Sequence, residues 1–196
     1  CTLGPIIHNP QLVAELEKRG VRTVESPCEV KNGETLVIRS HGVAKAVTDE
    51  AAASGVKTVD ATCPFVAKIH GIVSAAGRDG YVTLIAGDPD HQEVMGIVGH
   101  CTGEAYVFKT PQEIGEFLEN KEKTGKKPVI LVAQTTFNAK IFEECKKNLK
   151  KVYTNAKIFD TICNATSMRQ QEARELSRRN DVMVVIGGRH SSNTAK

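Results

Sequence analysis

Tryptophan is missing from this 196-residue chain, and the remaining aromatics are three Tyr and six Phe. With so few rings and no basic stripe threaded between them, a nucleic-acid groove built on base stacking is excluded. Long apolar runs are missing too. The longest, such as 129–133 and 182–186, fall far short of the roughly 20 residues that cross a bilayer, so no membrane span is expected. Charge of one sign is also scarce in excess, 26 Lys+Arg standing against 23 Asp+Glu. Cysteine is sparse at six, and Cys1, Cys28, Cys63, Cys101, Cys145 and Cys163 contain no Cys-x-x-Cys pair. That excludes a disulfide scaffold and points to a reduced, cytoplasmic protein. Nothing at the start reads as a signal peptide, and none is expected: Cys1 opens the chain without an initiator Met, a basic stretch or an apolar core. The numbering is expected to start inside a larger gene product. The polar loop 189–194, which would open a helix, is expected to mark a second truncation.

What is present is 40% hydrophobic residues, enough to bury a core, and a repeated rhythm. Asn9-Pro10 opens a helix with a cap and an N1 proline, and Gly20 closes it. Strands are predicted on either side, over 3–7 and 21–25. The alternation continues with strands over 35–39, 56–60, 81–86, 105–108, 129–133, 157–160 and 182–186. Between them fall helices over 43–54, 64–76, 92–98, 111–120, 138–150 and 165–179. Strands alternating with helices of this length predict an α/β fold, with repeated βα units forming related three-layer domains whose parallel-rich sheets surround a central site. The expected divisions are 1–63, 64–159 and 160–196, the first and last incomplete.

In parallel α/β sheets ligands collect beyond the carboxyl ends of the strands. Chemically capable residues are concentrated in those loops: His8, Ser40-His41-Gly42, Cys63, His91 and Glu93, Thr135-Thr136, Cys163-Asn164 and Ser191-Ser192-Asn193. A single strand-end histidine is usually a cap or a packing residue, but three together favour function. His70 falls in mid-helix and His100 lies beyond the His91 loop, and both are expected to be structural. Ser191, Ser192 and Asn193 are ordinary cap types, and a cap is also an anion site. Thr135 could equally be a plain cap. Cys28, Cys101 and Cys145 are expected to be small buried hydrophobes. Cys63 and Cys163 differ, because each follows a strand and opens a helix, in the parallel runs Asp60-Ala61-Thr62-Cys63 and Asp160-Thr161-Ile162-Cys163. A helix N-terminus favours the thiolate, the form that attacks or binds metal. A disulfide, a zinc site completed by His, and part of an iron–sulfur cluster all remain open on spacing alone. Glu93 is a surface or capping acid in most such contexts, and a proton donor if walled off from water.

The ordered set Gly4-Pro5-Ile6-Ile7-His8-Asn9, Ser40-His41-Gly42-Val43, Asp60-Ala61-Thr62-Cys63-Pro64, His91-Gln92-Glu93-Val94, Gln134-Thr135-Thr136, Cys163-Asn164-Ala165-Thr166 and Ser191-Ser192-Asn193 resembles the LytB-type 4-hydroxy-3-methylbut-2-enyl diphosphate reductases over essentially the whole chain. The resemblance implies three related α/β domains around a [4Fe-4S] cluster held by one cysteine from each. Cys63 and Cys163 would be two of its ligands. The third belongs to a Gly-Phe-Cys motif outside this chain, which Cys1 does not match, so no cluster is expected on this chain alone. It further implies that Glu93 protonates the leaving hydroxyl of an allylic diphosphate, and that His8, His41, His91, Ser191, Ser192 and Asn193 hold the diphosphate. Thr135 would orient substrate and proton donor. Electrons would come from a ferredoxin- or flavodoxin-type donor, and the enzyme would be a monomer. Gln92 departs from the family's usual Pro, and a C-terminal diphosphate-binding serine has no counterpart here. With no arginine fork expected at the pocket edge, histidines and caps would carry the anion. The competing classes are a zinc-dependent Cys/His hydrolase or thiol enzyme, and a phosphate-binding module without activity.

Overall fold

The computed structural model describes residues 1–7, 9–119 and 127–187. The expected βα alternation is present as two four-stranded parallel sheets. The first contains β1 (Thr2–Leu3), β2 (Thr23–Val24), β3 (Thr35–Ile38) and β4 (Lys57–Asp60), in the order β2-β1-β3-β4. The second contains β5 (Val82–Ala86), β6 (Ala105–Phe108), β7 (Val129–Ala133) and β8 (Lys157–Ile158), in the order β6-β5-β7-β8. Each sheet therefore starts at an inner strand, steps outward once, then returns to the other side of that strand. The places of reversal are the β1/β3 and β5/β7 pairs, where the loops leaving neighbouring strands diverge and open a crevice.

Helices α1 (Pro10–Lys18) and α2 (Lys45–Ala53) belong to the first sheet's connections. Asn9 caps α1, its side-chain oxygen accepting from the Leu12 N–H at 3.1 Å, and Pro10 occupies the first helical position. The crossover α3 (Pro64–Arg78) leads into β5 and packs on it and on α4 (Gln92–Gly99). β5 and β7 are buried along their full length because helices cover both faces. Period-two alternation sorts their side chains. Leu84 and Leu131 face α5 (Pro111–Glu119) and α6 (Ala139–Val152) in one core with Ile114, Phe142 and Leu149. Ile85, Ile130 and Val132 face α3 and α4 in another core with Ile69, Val73 and Ile97. The last helix, α7 (Asn164–Ser177), opens at Cys163.

Three expectations are corrected. The first strand covers Thr2–Leu3 and not 3–7, because Gly4 takes φ +65° and turns the chain out of the sheet. Residues 182–186, read as a buried strand, form no strand and are exposed, Ile186 at 93%. Apolar content alone does not make a strand; it needs a neighbouring strand to take its backbone hydrogen bonds, and none pairs with this segment among the described residues. Cys28 is exposed in a 3-10 turn at Pro27–Glu29, where its thiol lies 3.1 Å from a Glu50 carboxylate oxygen, so it is no core residue. Cys145 is buried as expected, and Cys101 is half-buried.

Candidate active site

Glu93 and Thr135 meet across the β5/β7 crevice. Glu93 is the second residue of α4 and Thr135 leaves β7, so the two arrive from neighbouring strands. The Thr135 N–H donates to Glu93 Oε1 at 2.6 Å and the Thr135 hydroxyl donates to Oε2 at 2.7 Å. Both residues are buried, Glu93 at 2% exposure. A buried carboxyl group without partners would be costly, and here both oxygens are satisfied by one residue. Gln134 ties the same two loops together: its Oε1 accepts from the Asp88 N–H at 3.1 Å and its Nε2 donates to the Thr136 hydroxyl at 3.0 Å.

His91 caps α4, its Nδ1 accepting from the Glu93 N–H at 3.1 Å, which places the ring proton of the neutral form on Nε2. The His41 ring stands edge-on to His91 with centroids 5.9 Å apart, so the two histidines from different sheets are brought together. His8, Ser191, Ser192 and Asn193 lie outside the described residues.

His70 and His100 form a second imidazole pair beneath the His41 loop. Their rings stack at 3.9 Å, and His100 Nε2 donates to the Val43 carbonyl at 3.0 Å. A Cβ on Gly42 would lie 2.6 Å from His70 Cε1, and Gly42 has φ +70°, so glycine is required there twice over. Both histidines are structural, as expected. Burial pushes the His70 imidazole down to about 4 from its ordinary 6.5; the His100 ring adds to the shift and Asp60 opposes it. The folded protein keeps His70 neutral where the unfolded chain takes up a proton. Its stabilising contribution is therefore complete above about pH 6.5 and is lost as pH falls towards 4, on the order of 3 kcal/mol. Urea unfolding at about pH 7 and about pH 4.5 should show that loss, and His70→Leu should reduce it. An unchanged pH dependence in the variant would assign the acid sensitivity to other groups.

Cys63 and Cys163 are the N-caps of α3 and α7, and neither side chain makes a capping hydrogen bond. Each is half-buried, with its backbone tied to the pocket: the Cys63 N–H donates to Ser40 O at 2.9 Å and the Cys163 N–H to Thr135 O at 2.8 Å. Thr161 secures the approach to Cys163, its hydroxyl accepting from the Ala133 N–H at 2.8 Å and donating to Ala133 O at 2.6 Å. Two soft, uncommitted sulfur donors at helix N-termini fit a thiolate-held metal or cluster. Among the described residues no three His, Cys, Asp or Glu side chains converge, so neither a mixed Cys/His zinc site nor a complete three-thiolate set is present there. A cavity of about 340 Å³ lies against Thr135 and Cys163, with Lys140, Gln170 and Arg174 on its wall.

A sequence model of one family, described as LytB protein, matches residues 1–196. The chain belongs to the LytB family. It is 44% identical over 194 residues to the 4-hydroxy-3-methylbut-2-enyl diphosphate reductase of Clostridioides difficile (strain 630), covering 99% of this chain and 68% of that protein. It is 40% identical over 198 residues to the enzyme of the same name from Aquifex aeolicus (strain VF5), covering 100% of this chain and 66% of that protein. A solved structure of the (E)-4-hydroxy-3-methyl-but-2-enyl diphosphate reductase, described as the terminal enzyme of the non-mevalonate pathway, superposes with a TM-score of 0.80 at 40% identity. That match covers 99% of this chain and 68% of the solved one. The E-1-hydroxy-2-methyl-but-2-enyl-4-diphosphate reductase of Plasmodium falciparum superposes with a TM-score of 0.84 at 25% identity, covering 99% of this chain and 60% of that chain. The LytB chain described here thus spans about two thirds of the length of the curated relatives it matches.

One feature of the pocket edge escaped the sequence reading. Arg39, directly after β3, donates through its guanidinium to the side chain of Gln92. An arginine thus stands at the pocket edge, engaged with a neighbouring side chain and not shown as a fork on an anion. The available signal was its place directly before Ser40-His41, but a charged residue at a strand end reads as surface until the facing loop is known.

Proposed function

We propose that this protein reduces 4-hydroxy-3-methylbut-2-enyl diphosphate, removing its allylic hydroxyl with two electrons and two protons to give isopentenyl and dimethylallyl diphosphates. The observation that carries the reading is the buried Glu93–Thr135 pair beside the His41–His91 pair, a proton source and an imidazole-lined wall at one crevice. Family membership and the relatives' names support it.

Glu93 delivers the proton from a carboxyl oxygen to the departing hydroxyl, and Thr135 holds that carboxyl group in place. The His41 and His91 imidazoles bind the diphosphate, to which His8, Ser191, Ser192 and Asn193 are assigned by motif alone. Cys63 and Cys163 would hold a [4Fe-4S] cluster together with a third thiolate, and when bound that cluster supplies electrons and a Lewis-acidic iron for the C–O bond. The electron donor is of ferredoxin or flavodoxin type, and the enzyme is a cytoplasmic monomer. The proposed division at 63 is supported by the packing of α3 on β5 and α4, and the one at 159 falls directly after β8. No helix among the described residues is long and apolar enough to cross a membrane.

The test is anaerobic turnover by the cluster-loaded full-length protein, which carries the segment with the third cysteine, with a chemically reduced dye as electron source and with iron and sulfide counted on the same sample. Turnover with labile sulfide present is expected; one zinc per chain with no sulfide would overturn the reading. In the same protein His41→Asn should raise the substrate KM by roughly tenfold, the scale of one charge-assisted hydrogen bond, and leave iron content unchanged. Loss of iron in step with activity would make His41 a metal ligand.

A further inference from the structure

The Arg39 guanidinium touches three strand-end loops at once. It leaves the carboxyl end of β3 two residues before His41. It donates to the side-chain oxygen of Gln92, which stands between His91 and Glu93 on α4. It also fills the space that a Cβ on Gly4 would need, in the loop leading from β1 towards His8. Gly4 has φ +65°, so glycine both supplies the turn and makes room for the guanidinium.

This is an expensive way to use an arginine. Burial lowers the guanidinium's affinity for its proton, with Glu25 opposing that effect, and Nε is buried with no hydrogen-bond partner. Arginine stays charged in proteins, so an unsatisfied buried nitrogen is a standing cost. Holding its long side chain in one rotamer adds another. A strand-end arginine turned to water would avoid both.

We propose that Arg39 is a positioning residue: its bridge from the Gly4 turn to Gln92 sets the spacing between the His41 loop of the first sheet and the His91–Glu93 helix start of the second, and so sets the fit of the diphosphate. The proposal rests on the reading of this crevice as a diphosphate site. It predicts an effect on anion affinity that is shared between Arg39 and Gln92. It also predicts little effect on the chemical step, because Glu93 keeps both of its hydrogen bonds to Thr135.

Gln92 is exposed, so Gln92→Leu removes the acceptor without disturbing a core. Calorimetric titration with inorganic diphosphate, on cluster-loaded and on cluster-free full-length protein, reads the anion site independently of turnover. Arg39→Gln and Gln92→Leu should each weaken binding by about threefold to tenfold, and the double variant should be no weaker than the poorer single one, since both break the same bridge. Arg39→Lys keeps the charge but not the planar fork, and should recover less than about half of the loss. In steady-state assays KM should rise by the same factor, with kcat changed by less than about twofold. Additive losses would overturn the bridge. A weak Arg39→Gln variant beside an unaffected Gln92→Leu variant would make Arg39 a direct anion ligand and overturn it too, as would single variants that both match the parent. Absence of any diphosphate binding by the parent would remove the anion site and the proposal together. Diphosphate binding with no reductive turnover would defeat the proposed function while leaving the bridge standing.

Discussion

Glu93→Gln is expected to lower turnover by roughly 10² or more, the scale on which a positioned general acid contributes. The substitution is nearly isosteric, and the hydrogen-bonding surroundings tolerate it. The remaining carbonyl oxygen can still accept from the Thr135 N–H, and the new amide N–H can donate to the Thr135 hydroxyl, which accepts as readily as it donates. What disappears is the transferable proton. Thermal unfolding should therefore move little, and iron content should be unchanged. Turnover within about threefold of the parent would remove Glu93 as the proton donor. Glu93→Ala is the less informative change, because it strands a buried N–H and hydroxyl and mixes catalytic loss with destabilisation.

The second large effect concerns the two helix-cap cysteines. Cys63→Ala and Cys163→Ala should each reduce retained iron by more than about tenfold and bring turnover to background, because metal affinity couples strongly to a complete ligand set. Neither change should harm the fold: both side chains are half-buried and neither makes a capping hydrogen bond, so α3 and α7 lose no cap bond when sulfur is removed. Cys28→Ala supplies the contrast. Its thiol is exposed and faces Glu50 far along the chain from either cap, and iron should be retained in full. Iron retained by Cys163→Ala, counted after anaerobic purification, would show that Cys163 is not a cluster ligand.

The parts of this molecule that are legible in the sequence are those governed by short-range rules. Asn9-Pro10, Pro64 and Asn138 each signal a helix start through capping or fixed φ, and the helices begin where those residues say. Val129–Ala133 reads as a buried strand from its unbroken apolar run, and it is one. The segment 182–186 carries the same apolar signal and forms no strand, because a ladder is a property of two segments and periodicity reports on one. Cys28 departs from its expected core place for a related reason: a small apolar residue has no local mark that separates a core position from a 3-10 turn at the surface. Candidate site residues are legible where chemistry clusters at strand ends. Their partners are not, since Glu93 and Thr135 lie 42 positions apart and Arg39 and Gln92 lie 53 apart.

Those separations bear on how the chain assembles. All strands of the first sheet lie between Thr2 and Asp60, and all strands of the second between Val82 and Ile158. A chain emerging from the ribosome can thus close the first sheet before the second has been synthesised, with α3 as the join. The contacts that draw the two together, Arg39 to Gln92 and His100 to Val43, cannot form until α4 has emerged and folded. The pocket is consequently the last part to mature. A nascent chain arrested after the first sheet would hold His41 and Cys63 without the residues that face them, a stage at which the thiol is open to oxidation and to stray metal.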